Sequence, residues 1–142
     1  MKYLIWLTSL MLSTFAFSYA AELRNIEQLQ WHNRLLILWS TAPDHDFNQL
    51  LNTYEPEIID RQLILLVLSK EGRVVSNFNG QLNVGLTDKL TAKFPKAKGK
   101  YYLIGKDGGI KAYGQQLDMT AILTKIDRMP MRRQEQLHTH QQ

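Results

Sequence analysis

Leu35-Leu36-Ile37-Leu38-Trp39 and Leu63-Ile64-Leu65-Leu66-Val67-Leu68 are two short, unbroken apolar runs. Runs of this length fit strands buried on both faces of a sheet. Between them, Phe47, Leu50, Leu51, Tyr54, Ile58 and Ile59 recur at helical spacing. Asp44 or Asp46 can cap the start of that helix. Pro56 lacks an amide hydrogen and its ring crowds the carbonyl four residues back, so the helix is expected to kink or break there. Strand, helix and strand of these lengths make a βαβ unit, which forces the two strands to run parallel.

Towards the C-terminus, residues 73–80 read as a weak strand or loop. Leu86, Leu90 and Phe94 predict a short helix that stops at Pro95. Tyr101–Ile104 and Ile110–Tyr113 flank Lys106-Asp107-Gly108-Gly109, a turn whose residues tolerate positive φ, so 101–113 is expected to be a β-hairpin. A last helix begins at Asp118, with Leu117 stapled onto Ile122 and an apolar stripe of Ile122, Leu123 and Ile126; Pro130 is expected to end it. The order β-α-β-(β)-α-β-β-α predicts one α/β domain over 21–133, with a central mixed sheet, flanking helices and a thioredoxin-like arrangement. Residues 134–142 are expected to be a polar, frayed tail.

Ahead of this domain, Lys2 is followed by no charged residue until Glu22. The intervening stretch is rich in Leu, Ile, Phe and Met and closes on Ser18-Tyr19-Ala20. These are the three regions of a secretory signal peptide spanning 1–20, cut after Ala20. The alternative is an uncleaved anchor, since about 20 residues can cross a bilayer, but Thr8, Ser9, Ser13 and Thr14 dilute its apolar character. No later segment is apolar enough to span a membrane. The expected location is periplasmic or secreted. The chain of 142 residues has a net charge of +4, and in an exported protein that excess suits an anionic or protein partner better than nucleic acid.

Cysteine is absent. Disulfides, thiol redox catalysis and thiolate metal sites are therefore excluded. In a thioredoxin-like fold the redox motif follows the first strand of the βαβ unit. Here that place reads Trp39-Ser40-Thr41-Ala42-Pro43-Asp44, which resembles the thioredoxin motif in its Trp and Pro, with Thr41 and Asp44 at the two cysteine positions. A hydroxyl and a carboxylate cannot exchange disulfides. The cis-proline of that fold would fall near Lys100, which is not proline.

Tyr102-Leu103-Ile104-Gly105-Lys106-Asp107-Gly108-Gly109-Ile110-Lys111, followed by Ile126-Asp127-Arg128-Met129-Pro130-Met131-Arg132-Arg133, resembles the P-DUDES family. This domain of unknown function occurs in secreted bacterial proteins and in vertebrate sushi-repeat-containing proteins, equarin and their relatives. The resemblance runs from about Leu35 to Arg133 and implies a thioredoxin- or peroxiredoxin-like fold. It transfers no catalytic residue, and the oxidoreductase activity suspected for the family does not carry over to a chain without thiols.

Arg128, Arg132 and Arg133 form a basic cluster that suits a helix C-terminus, and equally a docking site for a carboxylate or phosphate. With Lys106 they are the candidate binding residues. Lys93, Lys96, Lys98 and Lys100 form a second basic run, readable as a solvated loop or as part of a face for anionic envelope surfaces. Thr41 and His45 can be imagined as a nucleophile and its base, although Asp44, His45 and Asp46 are more simply helix-start residues. Glu55, Glu57 and Asp60 read as the solvated side of their helix, and Trp31 as a lid on the core. His138 and His140 lack a third ligand, so no metal is expected, nor any other cofactor. The leading expectation is a non-catalytic interaction module; the alternatives are a non-thiol enzyme or redox accessory, or a basic binder of anionic surfaces.

Overall fold

The computed structural model describes residues 20–140. The two apolar runs form β2 (Arg34–Trp39) and β3 (Leu63–Leu68), paired in parallel in the register Leu36↔Leu65. Around them lie β1 (Glu22–Leu23), a 3-10 turn at Ile26–Leu29, α1 (Pro43–Asp60), β4 (Val74–Ser76), β5 (Gln81–Leu82), α2 (Leu86–Lys93), β6 (Tyr101–Ile104), β7 (Ile110–Gly114), α3 (Met119–Asp127) and α4 (Pro130–Thr139). The main sheet is mixed, in the order β4-β3-β2-β6-β7. The central β2–β3 pair is parallel, and the other three pairings are antiparallel. The chain is thus α/β, with a five-stranded mixed sheet and four α-helices among the described residues.

Alternation along the strands divides the core into two layers. Leu35, Ile37, Trp39, Leu66 and Leu68 face Leu86, Leu90 and Phe94 on one side; Leu36, Leu63 and Leu65 face Ile58, Met119, Ile122 and Ile126 on the other. Complete burial of one such side chain contributes about 1.5–3 kcal/mol. The Trp39 indole also donates to the Phe94 carbonyl at 2.9 Å, which ties β2 to the end of α2.

The local signals acted as their chemistry requires, with three exceptions. Asp118 caps α3 by accepting from the Ala121 amide at 3.1 Å, and the 106–109 turn closes with Gly108 at φ 83°. Pro56 breaks α1 at Tyr54, whose φ of −126° and ψ of 18° are not helical, but the helix resumes and runs to Asp60. The first exception is the α1 cap: it is Ala42, with no side-chain bond and Pro43 at the first helical position. Asp44 and Asp46 are drawn elsewhere, to Arg73 and to the Ser40 hydroxyl. The second is Pro130, which starts a helix and ends none. At the first helical position its missing amide is one the helix cannot use anyway. The third follows from the second: the segment expected to fray from residue 134 is helical through Thr139.

The expected signal segment lies outside the described residues except for Ala20. No helix among the described residues is long and apolar enough to cross a membrane. Their peptide bonds are all trans, including the one at Lys100.

Candidate functional site

At the start of β2, Arg34 is a cation at the head of a buried strand, with 1% of its surface exposed. Its guanidinium donates to the Arg61 carbonyl at 3.0 Å and forks onto both Glu135 oxygens at 3.2 Å. Lys106, in the turn after β6, is also buried, 8% exposed. Its ammonium donates to Glu135 Oε1 at 2.6 Å and to the Gln62 side-chain oxygen. Glu135 therefore sits between two buried cations. Burial raises its pKa, but the hydrogen bonds from Lys106 and Arg34 outweigh that and hold it below the ordinary carboxylate range.

A second ionic knot adjoins the first. Arg132 is 6% exposed and donates to the Asp60 carbonyl at 2.8 Å, to the Asp60 carboxylate and to Asp127 Oδ1 at 3.3 Å. Arg61 makes the bidentate pair with Asp127, at 3.0 and 2.8 Å. Asp127 is raised by burial and lowered further by Arg61 and Arg132, so it too lies below its usual value.

This geometry corrects the expected docking pair. Arg132 is not free: it anchors α4 to the end of α1. Arg132 and Arg133 also lie in the first turn of a helix, the end where the dipole disfavours cations, so α4's own dipole does not explain them. Arg133 is exposed, as is Arg128 at the C-cap of α3. Arg128 lines an open groove of about 840 Å³ with Lys111 and Met129. Asp60, expected on the solvated side of α1, holds Arg132.

Beside the Glu135 knot, Arg34 and Lys106 line a cavity of about 460 Å³ whose other walls include Trp31, Met129, Pro130 and Met131. Trp31 is no core lid. It is 60% exposed and has φ 69°. Its amide donates to the Lys106 carbonyl at 2.6 Å, which fixes the residue beside the turn. The left-handed conformation costs a non-glycine residue on the order of 1–3 kcal/mol. The fold thus holds a large aromatic in a strained, exposed position next to two buried cations.

The residues expected at a degenerate redox motif make local contacts instead. Ser40 is buried; its hydroxyl accepts from the Ala42 amide and donates to Asp46. Asp44 pairs with Arg73 at 2.7 Å. Thr41 is exposed and shares no hydrogen bond with His45 among the described residues, and neither residue lines either of these two openings. At its Lys100 end the lysine run lies away from Arg34. The Lys100 carbonyl accepts from the Trp39 amide at the far end of β2, about 17 Å of strand from Arg34. Lys93 pairs with Glu27. His138 and His140 are two residues apart at the end of α4, a spacing that turns their side chains about 200° from each other.

Sequence reasoning found Lys106 but missed Arg34, Gln62, Asp127 and Glu135. A signal existed for Arg34, because it abuts an apolar run that must lie inside a sheet. Glu135 gave none, being one polar residue among many near the C-terminus.

A family model described as a domain of unknown function (DUF4174) matches residues 25–135. No curated protein and no solved structure matches the chain.

Proposed function

We propose that this chain, which belongs to the DUF4174 family, is an exported, non-catalytic interaction module that binds an anionic partner through the face bounded by Trp31, Lys106 and Met131. The observation that carries this reading is Trp31, strained and exposed beside a cavity lined by the buried Arg34 and Lys106. Aromatic and arginine side chains beside a concavity are the anchors on which association most depends.

Three further observations support the reading. The chain has no thiol, and the side chains of Ser40, Asp44 and Asp46 are engaged in local contacts. The strand order β3-β2-β6-β7, with one parallel pair and an antiparallel hairpin, accords with a thioredoxin-like arrangement, as do α1 and α3 on one face and α2 on the other. The family match at 25–135 covers the stretch that resembles P-DUDES, and residues 1–20 have the pattern of a signal peptide.

The test is photo-cross-linking in the cell of origin, with benzoylphenylalanine placed at Met131 and, in a second version, at Thr41. The expected result is a discrete adduct from position 131 and none from 41. An adduct from 41 alone would put the binding face at the wrong end of β2. No adduct from either would remove the interaction reading.

A further inference from the structure

Arg34 and Lys106 are both more than nine-tenths buried, and they share one carboxylate, Glu135. Two buried cations on one anion leave unbalanced positive charge where it is costly, beside the cavity that both residues line. The other charged pair in the cavity wall, Lys111 and Asp107, is already neutralised at 2.7 Å. The pairing of Arg34 is also incomplete: its Nε is buried and has no hydrogen-bond partner. An orphaned donor on a buried cation costs free energy unless something accepts from it.

The entry of α4 adds to this field. Met129, Pro130 and Met131 all line the cavity, so the positive end of a ten-residue helix lies against it. That end has no side-chain cap. The remaining wall is apolar: the Trp31 indole, two methionines and Pro130. A volume of about 460 Å³ lies within the range of small-ligand sites.

We propose that this cavity binds a carboxylate carried on an apolar body, the carboxylate towards Arg34 and Lys106 and the body against Trp31 and Met131. Glu135 already shows which head group these two cations accept. The inference rests on the reading that the Trp31 face is the binding face. The chemistry is shared by a free amphipathic acid and by a peptide's C-terminus with an apolar last residue.

The experiment titrates the purified full chain, ¹⁵N-labelled, with 4-phenylbutanoate and with N-acetyl-alanyl-phenylalanine, each beside its neutral amide. Both acids should shift the Trp31 indole N–H and the Gly105 and Gly108 amides saturably, with the amides at least tenfold weaker. Tighter binding of the peptide acid assigns a chain terminus, and tighter binding of phenylbutanoate a free acid. Lys106→Met should weaken the acids at least tenfold and leave the amides unchanged. Should that variant fail to fold by circular dichroism, the acid–amide comparison on the native protein decides alone. Amides that bind as tightly as acids, or no saturable shift from either acid at millimolar concentration, would overturn the proposal. A cross-link at Met131 without acid preference removes this inference and spares the module; acid preference without any cross-link does the reverse.

Discussion

Arg34 and Glu135 lie 101 residues apart in the chain and form one contact, buried on the Arg34 side and part-buried on that of Glu135. Removing one partner of such a pair does more harm than the pair does good, because the other charge stays behind in the interior. Glu135→Ala strands Arg34 and Lys106 together. It should cost about 3 kcal/mol in urea unfolding, whereas Glu135→Gln, which still accepts hydrogen bonds, should cost clearly less. Equal losses from the two variants would mean that Glu135 acts through packing and not through charge. Arg132 teaches a related point. As a basic residue after a proline it reads as surface, yet the partners that bury it, Asp60 and Asp127, belong to two other helices.

Among the elements, α4 differs from the rest in how it is held. Its inward side presents Arg132 and Glu135, and it docks by ion pairs where α1 and α3 dock by Leu, Ile and Phe. That makes its attachment sensitive to acid. Glu135 and Asp127 both have folded pKa values below their ordinary 4.5 and 3.8. Their contribution is therefore complete above those values and is lost as pH falls through the lower folded ones. On acidification below about pH 4, amide exchange in 130–139 should accelerate before exchange in β3 and in 35–39 of β2, whose side-chain contacts are apolar. Simultaneous loss of protection everywhere would contradict a separately attached α4. The same contrast explains what was legible beforehand. Strands β2, β3, β6 and β7 and helices α2 and α3 announced themselves within a residue or two, because apolar periodicity is local information. The docking of α4 and the Glu135 knot depend on charged partners distant in sequence, and periodicity holds no record of those. The cavity could not be read beforehand, since it is assembled from the approach to β2, the β6–β7 turn and the entry of α4.

For the molecule as a whole, β1 pairs in parallel with β5, Glu22↔Gln81 and Leu23↔Leu82, directly after the expected processing site at Ala20. Intact mass measured on protein recovered from its native host should correspond to residues 21–142. A mass retaining residues 1–20 would turn the leader into an anchor. Either way there is almost no slack. The Ala21 carbonyl accepts from the Gln81 amide at 2.9 Å, and Gly80 passes so near that an added Cβ would stand 2.1 Å from that same oxygen. A protease needs several extended residues on each side of the bond it cuts, and once β1 is paired the residue after the cut is already engaged in the body. The expected cleavage and the closing of this two-residue strand would thus compete for one piece of backbone. Were the expected leader cut after Ala20, a chain that closed β1 first would keep it.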